Sequence, residues 1–228
     1  MLSGNGNISD PTYWSKVAEI TGSTLAKSPQ FAPRTCPGSF EVITGQMERT
    51  VIVYWQKLEK KYYNGRSFEY VITDVLEGER LLPIQPYHQM SVYAEFKMLT
   101  LENYTIFVTS KNEIGLAPNS SKIFVAQKDK LEAIQPKYIT KIYLEENNTV
   151  EVSWFLPKHK SIIKSYTVFW CKFPKDRPYK CDGKLDWVDV EPYSKNQPMT
   201  HKILLPDSEN YQFAVAANTE NYSSGTDS

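Results

Sequence analysis

The 228 residues include only three cysteines, at 36, 171 and 181, and only three histidines, at 88, 159 and 201. A structural zinc site needs four ligands, usually in close-spaced Cys or His pairs. Cys171 and Cys181 have nine residues between them, and the histidines are scattered. A redox pair would favour C-x-x-C spacing. No nucleophile with a base and an orienting partner is legible. Charge of one sign is also lacking, since Lys+Arg and Asp+Glu both number 26. That removes the bulk electrostatic ground for nucleic-acid binding and argues against a polybasic membrane-surface protein. No apolar run approaches the ~18 residues that indicate a membrane span. The opening "MLSGNGNISDPTYW" has no basic start followed by an apolar stretch, so it does not read as a signal peptide. The expectation is a chain with no catalytic residues, no cofactor and no metal.

What is present favours β-structure. Aromatics make up 13% of the chain, with fifteen tyrosines, and glycine is sparse at ten. Aromatic and β-branched residues favour strands. Hydrophobic residues reach 41%, enough for ordinary cores, and the length suggests one large domain or two of about 100 residues each. Five N-x-S/T sequons stand at Asn7, Asn103, Asn119, Asn147 and Asn221. Together they tilt the reading towards a secreted chain. The plain alternative is polar surface loops of an intracellular protein.

The chain repeats itself after about 100 residues. "RTVIVYWQ" (Arg49 to Gln56) resembles "NTVEVSWF" (Asn148 to Phe155). Each alternates and closes on a Trp, as a strand with one buried face does. Val51, Val53 and Trp55 share that face in the first copy, and Val150, Val152 and Trp154 in the second. A Tyr follows each Trp, at Tyr70 and Tyr166. The triplet "ENY" then recurs, at Tyr104 and Tyr211, each six residues after an apolar residue, Met98 or Leu205. Turn signals at Asn64-Gly65, Glu77-Gly78 and Asp182-Gly183 separate short runs. No long amphipathic helix is legible. Many short strands at this spacing predict an all-β protein of two tandem sandwiches. "FAP" at 31–33 and "IQP" at 134–136 are expected to open each sandwich, and "AQKDKLEA" (Ala126 to Ala133) to be a short linker that limits their relative angle.

The Trp, the following Tyr and the Leu/Met-to-Tyr spacing together resemble the fibronectin type III family. The resemblance implies that Trp55, Trp154, Tyr70 and Tyr166 are structural core. It also implies that Tyr104 and Tyr211 are corner tyrosines at the start of strand F, bonded across the E–F turn. "VYWQKLEKKYYNGRSFEYVI" (Val53 to Ile72) is similar to the first membrane-proximal fibronectin domain of class I cytokine receptors of the interleukin-6 signal-transducer type. The matching residues are Trp55, Leu58, Asn64, Gly65, Tyr70 and Val71. "KSYTVFWCKFPKDRPYKCDGKLDW" (Lys164 to Trp187) is similar to the next domain of those receptors, through Tyr166, Trp170, Cys171, Cys181, Asp186 and Trp187. Two successive domains match in the right order, over most of residues 29–228.

On this resemblance residues 1–28 read as a tail or the last strand of an upstream cytokine-binding domain. Tyr13-Trp14-Ser15 looks like the closing half of a Trp-Ser-x-Trp-Ser motif. Residues 29–127 read as one fibronectin domain and 128–228 as a second that lacks its last strand. A Cys171–Cys181 disulfide across the hairpin after strand C is expected in a secretory setting, the alternative being two reduced core cysteines. Cys36 has no partner in its own domain. Asn103 is expected to face outward beside Tyr104, and Asn119 and Asn147 to sit in turns. The implied partners are a second receptor chain, in a homodimer or heterodimer, and a protein cytokine bound mostly through other domains. A cell-adhesion or receptor-phosphatase fibronectin array, or an accessory module of a secreted enzyme, would share the fold.

Overall fold

The structure, a computed structural model, describes residues 22–226 apart from 23, 46, 100, 145–147, 158, 173–179, 182, 194–197 and 207–209. Tyr13-Trp14-Ser15 and the sequon asparagines Asn7 and Asn147 lie outside the described residues. The chain forms two β-sandwiches in tandem. The first contains β1 (Phe40–Thr44), β2 (Glu48–Tyr54), β3 (Phe68–Glu77), β4 (Arg80–Leu82), β5 (His88–Gln89), β6 (Tyr93–Leu99), β7 (Tyr104–Asn112) and β8 (Ser121–Val125). The second contains β9 (Lys137–Leu144), β10 (Thr149–Phe155), β11 (Ser165–Lys172), β12 (Leu185–Val190), β13 (Met199–Leu204) and β14 (Tyr211–Asn218). Sheet orders are β1-β2-β6-β5 against β4-β3-β7-β8, then β9-β10-β13 against β12-β11-β14. All the strand pairings are antiparallel. This is the fibronectin type III-like order, with strands A, B and E facing C′, C, F and, in the first sandwich, G.

Period-two alternation builds each core. Val51, Val53 and Trp55 point inward from β2 and its end, and meet Tyr70 and Ile72 of β3 and Ile106 and Val108 of β7. A bulge at Thr73 then shifts the register, because Ile72 pairs with Val108 while Asp74 pairs with Phe107. The extra residue turns Val75 inward where strict alternation would bury Asp74. In the second core Val150, Val152 and Trp154 meet Tyr166, Val168, Phe213 and Val215.

The segment expected to be a linker is not an open strand of chain. Lys128–Ile134 form the helix α1. Lys, Leu, Glu and Ala are strong helix formers, and the residues Leu131 and Ile134, three apart on one face, are both buried. Leu131 joins the core of the first sandwich, so the helix docks there.

One side of β14 is open among the described residues. The Ala217 N–H donates to Ser224 Oγ at 2.9 Å, and its carbonyl accepts from the Ser224 N–H at 2.9 Å. The backbone groups of odd-numbered β14 residues therefore point away from β11. A single bridge, Asn218 to Ser223, lies on that side, whereas β7 is flanked by both β3 and β8. Unpaired edges open more readily than paired central strands. The amides of Phe213 and Val215 are expected to exchange with solvent at least about tenfold faster than those of Ile106 and Val108. Equal protection in a hydrogen-exchange experiment would mean that another segment covers this edge.

Candidate functional site

Trp55 and Trp154 are both fully buried. Each packs against the Tyr that follows it, with ring centroids 5.7 Å apart for Trp55–Tyr70 and 5.3 Å for Trp154–Tyr166. Tyr70 Oη accepts from the Leu58 N–H at 2.7 Å. Burial pushes both tyrosine hydroxyls up to about 12. At the first corner, Tyr104 Oη accepts from the Leu99 N–H at 3.1 Å and donates to Glu77 at 3.2 Å. Tyr211 is buried, and its carbonyl accepts from Lys141 Nζ at 3.0 Å. These six aromatics face the sandwich interiors, so none of them presents a binding surface.

A residue without a sequence signal holds the first corner together. Arg49 is 1% exposed. It donates to the carbonyl oxygens of Ala126 and Glu102, both at 2.7 Å, and its guanidinium lies 5.9 Å from the Tyr104 ring centroid. It thus ties strand B to the E–F turn and to the start of α1. Asn103 departs from the expected outward exposure. It is half-buried, and its Oδ1 accepts from the Gln127 N–H at 2.9 Å. The chain entering α1 crosses the face to which alternation directs Asn103. Asn119 and Asn221 are exposed.

Cys171 and Cys181 are joined, with Cα atoms 6.0 Å apart, and Cys36 is free. The disulfide does not stand alone on a hairpin but lies in a third apolar cluster, between the sandwiches. Ile52, Tyr54, Val92 and Tyr93 of the first meet Phe169, Cys171, Leu185 and Ala216 of the second, with Cys36, Cys181 and Trp187 at the edge. Strand β2 is therefore buried on both faces, which corrects the expectation of one. The signal was in the sequence: Val51-Ile52-Val53-Tyr54-Trp55 and Val168-Phe169-Trp170-Cys171 are unbroken apolar runs, and such runs mark strands covered on both sides.

Polar groups surround this cluster. Gln56 Nε2 donates to the Leu185 carbonyl at 3.0 Å and to Asp186 Oδ1 at 2.9 Å. Lys180 pairs with Glu95, which also accepts from Tyr87 Oη at 2.6 Å. The Arg34 guanidinium sits 5.3 Å from the Trp187 ring centroid. Two glycines permit the close approach. A Cβ on Gly38 would lie 2.5 Å from Ala216 Cβ, and one on Gly225 would lie 2.5 Å from the Phe40 ring; both residues have positive φ, at 84° and 75°. Beside Gly225, the Thr226 N–H donates to the Phe40 carbonyl at 2.7 Å. Burial, with Asp189 nearby, pushes the Cys36 thiol up, so it is held un-ionised. Burial alone would raise the Glu95 carboxyl. The hydrogen bonds from Lys180 and Tyr87 act against it, and the net result is a value below the ordinary 4.5.

No group of three or more His, Cys, Asp or Glu that could hold a metal occurs among the described residues. No described helix is long and apolar enough to cross a membrane. What the arrangement can do is hold two sandwiches side by side at one angle.

Such a fold and joint define a tandem fibronectin type III-like module. A cytokine receptor of Drosophila melanogaster is 25% identical to it over 221 residues, covering 94% of this chain and 16% of the receptor. The chain is cytokine-receptor-like, and this likeness points to a non-enzymatic module. No family model matches the chain. The crystal structure of chicken CNTN1 FN1-FN3 domains is 17% identical, covering 89% of this chain and 66% of that one. The TM-score between the two is 0.31.

Gly38→Ala is expected to open the joint, because a Cβ there meets the Ala216 and Ser223 side chains in a backbone conformation that L residues rarely adopt. The cost should be about 1–3 kcal/mol, read as a lower melting temperature and a larger radius of gyration in solution scattering. An unchanged radius would show that this contact does not fix the angle. Acid should act on the same joint. A folded-state value below the unfolded one means that Glu95 stabilises fully above pH about 4.5, and that this stabilisation is lost as pH falls through the lowered value. Trp187, followed by NMR of its indole, should become mobile over that acid range. In Glu95→Gln this pH dependence should be much reduced.

Proposed function

We propose that the chain is an extracellular fragment of a cytokine receptor that signals through JAK/STAT, of the insect Domeless type. Its two fibronectin modules space and orient receptor chains. Residues 29–127 and 128–228 are the two modules, with α1 at their boundary, and residues 1–28 belong to the end of an upstream cytokine-binding domain. The partners are a second receptor chain, identical or different, and a protein cytokine held mostly by domains outside this fragment. The setting is the extracellular side of the plasma membrane or a secreted form, with a glycan on some or all of Asn7, Asn103, Asn119, Asn147 and Asn221. The single observation that carries the reading is the joint. A module that only lengthened a stalk would need no buried cluster, ion pair and paired glycines between its sandwiches. A module that sets the separation of two membrane-attached chains needs one defined angle, and these features supply it. The disulfide and the sequons favour an oxidising, secretory environment.

A charge swap in the full-length receptor tests the reading. Glu95→Lys places a positive group at a buried position beside the partly exposed Lys180, where the two like charges repel. Surface expression and cytokine binding should stay at wild-type levels, while STAT phosphorylation falls several-fold. Adding Lys180→Glu should restore much of it. Undiminished phosphorylation in a Glu95→Lys receptor whose ectodomain is shown by scattering to be open would refute the orienting role.

A further inference from the structure

Beside the joint lies a groove of about 250 Å³ whose walls come from both sandwiches. Thr35 and Cys36 ahead of β1, Lys122 and Phe124 of β8, and Asn221 and Tyr222 after β14 line it. Asn221 heads the sequon Asn221-Tyr222-Ser223. The turn that carries it is held by its own bonds. Thr219 Oγ1 accepts from the N–H groups of Asn221 at 3.3 Å and Tyr222 at 3.0 Å, and the Thr219 N–H donates to the Tyr222 carbonyl at 2.8 Å. The Asn221 carboxamide itself has no protein partner among the described residues, in contrast to Asn103, whose Oδ1 is engaged by Gln127. An exposed, unpartnered sequon asparagine on a fixed turn therefore forms part of the wall of a groove between two modules.

We propose that this groove seats the first N-acetylglucosamine of a glycan carried by Asn221, which makes the sugar a third component of the joint. The chemistry of the walls suits an amphipathic ring. Phe124 and Tyr222 are half-buried aromatics whose electron-rich faces suit the C–H face of a sugar. Thr35, whose hydroxyl donates to the Lys122 carbonyl at 3.5 Å, and Lys122 line the same groove and offer a hydroxyl and an ammonium to the sugar's hydroxyl and acetamido groups. Attachment forms the bond between the Asn221 amide nitrogen and the sugar's anomeric carbon. The activated lipid-linked donor of the secretory pathway supplies the glycan, with its diphosphate carrier as leaving group. Because the first sugar is tethered, its seating lacks the association cost that a free ligand must overcome. The proposal requires only passage through a secretory compartment and does not depend on which cytokine or kinase is involved.

Cys36 reports on the groove because it lines it and is free. The protein secreted from a eukaryotic host is mapped for occupancy at Asn221, then labelled in three states with hydroxyl radicals, which oxidise an un-ionised thiol, and the oxidation of Cys36 is read by mass spectrometry. The three states are the intact glycan, the glycan trimmed by an endoglycosidase to its first sugar, and the glycan removed by an amidase. Labelling should be slow in the first two and several-fold faster in the third. Asn221→Asp, which carries the carboxylate that the amidase leaves, should match the third state, while Asn119→Gln, whose sequon lies outside the groove, should match the first. Equal rates in all three states, or an unmodified Asn221 in the secreted protein, would overturn the proposal. A stalk-like sugar pointing into solvent gives equal rates, so the outcomes separate occupancy of the sequon from occupancy of the groove.

Discussion

Ile52 and Tyr54 project from β2 on the side opposite Val51, Val53 and Trp55. Both are nearly inaccessible to solvent, at 1% and 6%. An isolated sandwich would leave that face in water. Covering a side chain such as Ile52, Phe169 or Leu185 is favourable by about 1.5–3 kcal/mol each. For tethered domains this gain opposes a smaller association cost than for free partners. The relative placement of the sandwiches follows from it. The C′-C-F sheet of the second faces the A-B-E sheet of the first, and that contact brings the chains close together at the margins. Gly38 and Gly225 stand at such margins, one from each sandwich, where a Cβ has no room.

The two copies of the repeat differ at the positions that matter. Aligned on Trp55 and Trp154, Ile52 and Tyr54 correspond to Glu151 and Ser153, which are half-buried and bordered by β9 and β13. Glu151 pairs with Lys202 across the sheet. The inward faces are alike, with valines and a Trp in both, so both copies fold as sandwiches. On the outward face the copies differ along strand B, apolar at Ile52 and Tyr54 but polar at Glu151 and Ser153, and in the second copy the neighbouring Ile142 and Leu204 stay exposed. The contact is between unlike faces, strands B and E of the first sandwich against C′, C and F of the second.

Much of this was legible and some was not, for reasons that differ by residue. Strand type, turn positions and the two Trp-centred cores follow from local alternation, which a single sequence carries. The second burial of β2 was also written, as the unbroken run Val51 to Trp55, but its alternating frame hides that run when only Val51, Val53 and Trp55 are counted. Leu131 and Ile134 lie three apart in a segment of seven residues, too short for periodicity to separate a docked helix from a linker. The burial of Asn103 depends on where the chain goes after β8. Arg49 had no local signal at all. A charged residue at the start of a strand reads as solvent-facing, and only the arrival of two carbonyl groups, 53 and 77 residues away in sequence, makes its burial tolerable.

The polar rim of the joint has a different role from its apolar centre. An ion pair such as Lys180–Glu95, whose carboxylate is buried and whose ammonium is partly exposed, adds little net stability, because desolvation of the carboxylate offsets the attraction. Its effect is on alternatives. Apolar surfaces such as those of Ile52, Tyr54 and Phe169 would accept one another over a range of sliding positions, since burial has no direction. A slide of a few ångströms would leave Glu95 desolvated without Lys180, and would separate Gln56 from Asp186 and the Leu185 carbonyl. Each of those losses costs more than the pair contributes when made. The apolar cluster therefore explains why the sandwiches associate. The polar pairs at the rim, together with the two glycines, explain why they do so at one angle.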